Sequence, residues 1–258
     1  MVKPRPDSAF VRFLFDTKYV RFFGKRVIRT YRSTTSEGMR FMLHTRGGGE
    51  RNLLAEIVDT HLYERFPIKR GDTVVDAGAN IGIFTVIASR FVGERGVVAA
   101  VEPTPSSFHL MKKNLSLNEC KNVKAIMAAL GEKESIGRLN IYRDSLINSF
   151  FAWPRTDRVV HDSIAVQVKT LDGLMRELGL NSLDLLKIDT EGYELPILKG
   201  GIEIIRGFRP YIVGEAHPTL SDSGSKIAEF LSERGYRCQI EPGGVDTEIF
   251  YADPGMRG

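Results

Sequence analysis

From residue 72 onward, short apolar runs alternate with stretches whose apolar positions recur every three or four residues. The first pattern is that of strands buried on both faces and the second that of helices covering them. Their regular alternation predicts a doubly wound α/β domain with a mostly parallel sheet. Strands are expected over residues 73–76, 97–101, 123–128, 183–188 and 211–214, and helices over 83–91, 105–118, 171–178, 194–200 and 224–234. Residues 237–240 and 248–252, around Pro242-Gly243-Gly244, predict an antiparallel hairpin that finishes the sheet. Residues 138–169 read as an insertion between the third and fourth parallel strands. It holds two strand-like runs and an irregular stretch over 148–162, suited to walling part of a substrate pocket.

The pattern before residue 72 is different. Phe10, Phe13, Leu14 and Phe22 recur at helical spacing and predict an amphipathic helix from about Ser8. Residues 25–31 and 39–44 predict a hairpin about Ser36-Glu37-Gly38. Gly47-Gly48-Gly49 reads as a linker into a helix over 50–66, because the Lys-Ser/Thr of a phosphate loop does not follow it. The expected division is thus a basic extension, 1–70, and an α/β domain, 71–258.

Charge sharpens that division. The net charge of +4 over 258 residues conceals fifteen Lys/Arg against seven Asp/Glu in residues 1–70, a net of +8, and −4 in the remainder. A basic extension of this kind can meet an anion such as RNA or phospholipid, or present a solvated face. Cys120 and Cys238 fit neither a disulfide framework nor zinc-ligand spacing, which favours a cytoplasmic setting. No apolar run is long enough to span a bilayer, and the aromatic stretch from Phe10 to Phe23 is broken by Arg12, Asp16, Lys18 and Arg21.

The first chemical signal is Val74-Val75-Asp76-Ala77-Gly78-Ala79-Asn80-Ile81-Gly82-Ile83-Phe84-Thr85, a buried strand that breaks into glycines and opens a helix. Gly78, Asn80 and Gly82 do not have the spacing of a pyrophosphate loop, but glycine there lets a ligand approach the backbone near a helix N-terminus. Asp76 supplies an acceptor suited to a cationic amine or its waters. Glu102-Pro103 ends the next strand, twenty residues past Gly82, where a ribose-binding carboxylate belongs. Phe108 and the backbone near Ala128-Ala129 are positioned for an adenine ring.

These motifs, together with Lys169-Thr170-Leu171-Asp172 and Leu186-Lys187-Ile188-Asp189-Thr190-Glu191-Gly192-Tyr193-Glu194, resemble the FkbM family of S-adenosylmethionine-dependent methyltransferases over about residues 71–220. The resemblance implies a seven-stranded class I (Rossmann-like) sheet, S-adenosylmethionine as methyl donor, and an oxygen of a small molecule or glycan as the usual acceptor.

Methyl transfer needs collinear alignment and, for a hydroxyl, a home for its proton. Acids and a histidine cluster at two expected strand ends. Asp189 is the candidate nearest the methyl group, with Glu191 orienting cofactor or acceptor, while Glu194 suits the N-terminus of the helix that follows. Glu215 and His217 end the neighbouring strand, and His217 is the candidate base at neutral pH. These four can alternatively hold Mg²⁺, although the resemblance requires no metal. The expected activity is O-methylation of a hydroxylated small molecule or glycan. The main alternative is an RNA methyltransferase using the basic extension, although a Lys-Asp-Lys-Glu tetrad is not evident. A non-catalytic membrane-bound sensor of S-adenosylmethionine is a third reading.

Overall fold

The computed structural model describes residues 16–23, 26–34, 38–44, 68–142, 145–154, 157–221, 223–243 and 246–255. Its centre is a seven-stranded sheet. Five strands run parallel: β4 (Thr73–Ala77), β5 (Val97–Val101), β6 (Val123–Ile126), β10 (Leu185–Ile188) and β11 (Tyr211–Ala216). The hairpin of β12 (Arg237–Pro242) and β13 (Glu248–Asp253) completes the order β12-β13-β11-β10-β4-β5-β6, with β13 antiparallel to β11. Strand order reverses between β4 and β10, so their carboxyl ends open a crevice where ligands of such sheets bind.

Every residue of β4 and β10 is buried. These two strands can be covered only from both faces. The helices α1 (Ile83–Val92), α2 (Pro105–Leu117), α3 (Leu171–Glu177), α4 (Glu194–Lys199), α5 (Ile202–Phe208) and α6 (Gly224–Ser232) bring the apolar residues that do so. The expected helices end within one residue of those observed, except that α6 stops two residues early, at Ser232. The short helix α5 was not anticipated, because its seven residues hold too few turns to show a period. Among the described residues no helix is long and apolar enough to cross a membrane.

A second sheet lies between β6 and α3. It joins β7 (Ala129–Leu130), β8 (Ser135–Ile141) and β9 (Asp162–Lys169) in the order β7-β9-β8. Strand pairing therefore starts before residue 138 and recruits Ala129 and Leu130, a short way past the third parallel strand.

Near the N-terminus, β1 (Asp16–Phe23), β2 (Arg26–Thr34) and β3 (Arg40–His44) form an antiparallel sheet. The expected hairpin partners are β2 and β3. The expected N-terminal helix is corrected where it is described: residues 16–23 are a strand. The run Thr17, Tyr19, Val20, Phe22 and Phe23 is β-branched and aromatic, and β2 follows closely enough to pair with it. Residues 8–15 of that helix, the Gly47-Gly48-Gly49 linker and the helix expected over 50–66 lie outside the described residues.

Helix α2 offers β3 a ladder of side-chain amides. Asn114 accepts from the Met42 N–H at 2.7 Å and donates to the Met42 carbonyl at 3.1 Å and to the Ile81 carbonyl at 2.8 Å. Asn118 accepts from the Arg40 N–H at 3.0 Å and donates to its carbonyl at 2.7 Å. Met39, Phe41 and Leu43 pack into one apolar cluster with Ile81, Ile83 and Met111 beneath this ladder. Asn114→Ala strips three backbone groups of their partners, and a loss of roughly 3 kcal/mol of stability is expected, to be read by urea denaturation.

Candidate active site

The turn between β4 and α1 is shaped by backbone contacts. The Gly78 and Ala79 N–H groups both donate to the Val101 carbonyl at 3.0 Å, tying the turn to the end of β5. Gly78 has φ 79°, and a Cβ there would overlap the Asp189 carbonyl oxygen. Gly82 has φ 84°, and its Cβ would press on the Met111 side chain. Glycine at these two positions is therefore required by neighbouring protein, the β10 turn and helix α2.

Asp76 does not line the crevice. Its carboxylate is 0% exposed, accepts from Thr85 Oγ1 at 2.6 Å and lies 3.2 Å from Lys187 Nζ. Lys187 faces it in register across the β4–β10 pair and is 4% exposed. Its ammonium also donates to the Gly78 carbonyl at 3.0 Å and stands 3.6 Å from Asp189. One cation thus holds the glycine turn, the buried acid of β4 and the acid past β10 together. The sequence reading passed over Lys187. Its signal was a lysine inside the apolar run Leu185-Leu186-Lys187-Ile188, which must be paired if the strand is buried.

The crevice is a cavity of about 260 Å³. Its wall includes Gly78, Asn80, Phe84, Glu102, Pro103, Ala129, Asp189, Glu191 and Glu215, nine of the thirteen residues singled out from sequence. Glu102 is buried at the end of β5 and accepts from the Asn80 N–H at 2.9 Å and the Thr104 N–H at 2.7 Å. Burial pushes its carboxyl above the usual range, against those two hydrogen bonds and the charge of Lys187. The Asn80 side-chain oxygen is shut off from solvent without a hydrogen-bond partner among the described residues. An acidic wall, a ribose-type carboxylate and an orphan acceptor suit a cationic, hydroxyl-bearing and amine-bearing ligand, and so fit S-adenosylmethionine. Phe108 is corrected: it is not on the cavity wall but packs on the apolar cluster under β3.

Past β10 the chain folds around one carboxylate. Glu194 Oε1 accepts from the Thr190 N–H at 3.2 Å and the Gly192 N–H at 3.0 Å and lies 3.2 Å from His217 Nδ1. This closes a turn in which Glu191 takes the left-handed φ of 55°. Ser149 Oγ donates to the Glu191 carbonyl at 2.6 Å, and Ser221 Oγ donates to that of Gly192. The turn thereby sets Asp189 and Glu191 on the cavity wall.

His217 is corrected as a base. It is 1% exposed, with Nδ1 on Glu194 and Nε2 3.4 Å from Glu191. Burial alone would lower its pKa, but the hydrogen bond to Glu194 and the charges of Glu191, Glu194 and Asp189 outweigh it and hold the ring at about 10. At neutral pH it is an imidazolium with no lone pair to offer. Glu191 is the group pushed toward neutrality. Burial raises it to about 8, with Asp189, Glu194 and Glu215 adding to the rise and His217 opposing it. Asp189, Glu215 and His217 bring ligand atoms within 4.8 Å of one another, as a cation site would.

Residues 145–154 cross above this centre. Asn148 donates to Thr104 Oγ1 at 3.3 Å beside Glu102, Ser149 reaches Glu191, and Leu146 and Phe150 line the cavity. The Phe150 ring lies 4.5 Å from that of Tyr193, also on the wall.

Comparison with known proteins agrees with this geometry. Residues 76–238 match the family model described as the methyltransferase FkbM domain. Methyltransferase sdnD of Sordaria araneosa is 28% identical over 172 residues, covering 56% of this chain and 66% of that protein, so the chain spans just under two thirds of that relative's length. The 31-O-demethyl-FK506 methyltransferase FkbM of Streptomyces tacrolimicus is 26% identical over 237 residues, 80% of this chain and 90% of that one. The crystal structure of a methyltransferase FkbM from Methylobacillus flagellatus superposes with a TM-score of 0.52 at 17% identity, over 75% of this chain and 47% of that chain. With the seven-stranded order and the cavity at its switch point, these matches establish that the chain belongs to the FkbM family of class I S-adenosylmethionine-dependent methyltransferases.

Proposed function

We propose that the protein methylates a hydroxyl of a small molecule or glycan and that Glu191 receives the hydroxyl proton. The observation that carries this reading is a wall carboxylate whose pKa is raised to about 8 beside Asp189. A base matched to the working pH is the most effective proton acceptor for a hydroxyl. S-adenosylmethionine, when bound, supplies an electrophilic methyl group. Glu102 and Asn80 would hold it, Asp189 would face the reacting centre, and Glu191 would orient the acceptor oxygen and take its proton as the new C–O bond forms. His217 and Glu194 are positioning residues that keep Glu191 in its turn. The FkbM relative from Streptomyces tacrolimicus, named for 31-O-demethyl-FK506, supports an oxygen acceptor.

Two measurements test the reading. Calorimetric titration with S-adenosylhomocysteine should show binding that weakens about 10- to 100-fold in Glu102→Ala, the effect of losing a charged hydrogen-bond acceptor. Formation of S-adenosylhomocysteine with hydroxylated acceptors should cease in Asp189→Ala while cofactor binding persists. Full turnover by that variant would remove Asp189 from the site. RNA affinity that falls steeply with salt would instead favour a nucleic-acid acceptor.

A further inference from the structure

Asn148 and Ser149 are neighbours in the chain and reach different ends of the crevice. Asn148 lies on the cavity wall, where its side-chain oxygen accepts from the Tyr142 N–H at 2.9 Å and its amide donates to Thr104 Oγ1 at 3.3 Å. Thr104 is buried before the first turn of α2, and its own N–H donates to Glu102, the carboxylate proposed to hold the cofactor. Ser149 is 0% exposed and turns the other way, as alternate side chains of an extended segment do. Its backbone exchanges hydrogen bonds of 2.9 and 3.2 Å with Asn140 of β8. Its hydroxyl accepts from the Phe151 N–H at 3.0 Å and donates to the Glu191 carbonyl at 2.6 Å.

The Glu191 peptide is where such a contact has most effect. A residue other than glycine held at φ 55° is strained and persists only where its neighbours fix it. Glu194 holds the N–H groups of Thr190 and Gly192 on either side of Glu191, and Ser149 supplies the donor that holds the Glu191 carbonyl. Without that donor the peptide is free to rotate and the carboxylate to leave its buried position. The two side chains hang from Cα atoms only about 3.8 Å apart, so a displacement of the segment at Thr104 is felt at Glu191. We infer that Ser149 is a positioning residue for Glu191, and that Asn148 couples it to the cofactor's end of the crevice. This inference rests on the reading above in which Glu191 receives the hydroxyl proton.

The test reads the Glu191 carboxyl directly. The full chain, made with glutamate labelled with carbon-13 at the side-chain carboxyl, is titrated by NMR across about pH 5–10, and the Glu191 signal is identified by its loss in Glu191→Gln. Glu191 faces Asp189 and Glu194 from its own turn and Glu215 and His217 from the end of β11, and its midpoint is expected at about 8. In Ser149→Ala water reaches the freed carboxylate, and its proton affinity should fall about tenfold or more. Asn148→Ala, which removes hydrogen bonds at the other end, should shift the midpoint in the same direction. Coupling between two sites is reciprocal, so in calorimetry Ser149→Ala should weaken S-adenosylhomocysteine binding about fivefold or more. The double variant should weaken it by less than the product of the separate effects, because both substitutions release one segment. An unchanged Glu191 midpoint in Ser149→Ala overturns the positioning role. An unchanged midpoint in Asn148→Ala, unchanged S-adenosylhomocysteine affinity in Ser149→Ala, or effects that multiply overturn the coupling. Where Ser149→Ala does not fold, the midpoint in Asn148→Ala decides alone. Any of these failures with a raised midpoint in the parent protein removes only this inference, whereas an ordinary carboxylate midpoint there removes Glu191 as the base and the inference with it.

Discussion

Replacing Lys187 with methionine is expected to lower stability by about 3–5 kcal/mol, the cost of leaving a buried charge without its partner. For a chain of this size the loss corresponds to a melting temperature lower by on the order of 10 °C. The residue left behind is Asp76, fully buried, with Thr85 Oγ1 as its remaining neutral partner. The same change withdraws the donor that holds the Gly78 carbonyl, so S-adenosylhomocysteine affinity should fall as well. Combining Lys187→Met with Asp76→Asn removes the orphaned charge and should recover more than half of the lost stability. A single variant within about 1 kcal/mol of the parent protein, the value of an exposed ion pair, would show that the pair does not organise the sheet centre.

The second large effect concerns chemistry. Glu191→Gln keeps the side-chain shape but cannot take a proton, and turnover is expected to fall roughly 100- to 10,000-fold, with cofactor binding unchanged. A base must be ionised to act, so the rate of the parent protein should rise with pH through about 8, the value to which burial and neighbouring carboxylates lift Glu191. His217 lowers that value through its positive charge, so His217→Gln should move the rising limb to higher pH. A purely structural role for His217 would lower the rate at every pH without moving the limb. A flat profile across pH 6–9 in the parent protein would exclude Glu191 as the base.

The two predictions differ in how far the sequence could anticipate them. Glu191 lay within the Lys187–Glu194 block that carried the family resemblance, and was assigned an orienting role. Its titration near neutrality depends on four charged neighbours, two from its own turn and two from the end of β11. Those charges meet only when β10 and β11 pair. His217 was read as a base because an unperturbed imidazole titrates near neutrality. Two buried carboxylates reverse that, and neither contact is visible along the chain.

What the sequence determined by itself is what short-range physics encodes. Apolar runs and helical periods located the strands and helices of the main sheet, since burial on both faces demands a continuous apolar strand. The Asp76–Gly82 turn and Glu102 were legible because each follows a strand end at a spacing set by one helix. The N-terminal strand Asp16–Phe23 was missed, as aromatic spacing fits two periods and only a pairing partner decides between them. Tertiary structure alone decided the rest. It joined Asp76 to Lys187 across 111 residues, laid Asn148 and Ser149 over the cavity, docked β3 on the asparagines of α2 and stacked Arg158 on Trp153. Each of these contacts depends on where distant segments come to rest, and charge, burial and protonation follow from that placement.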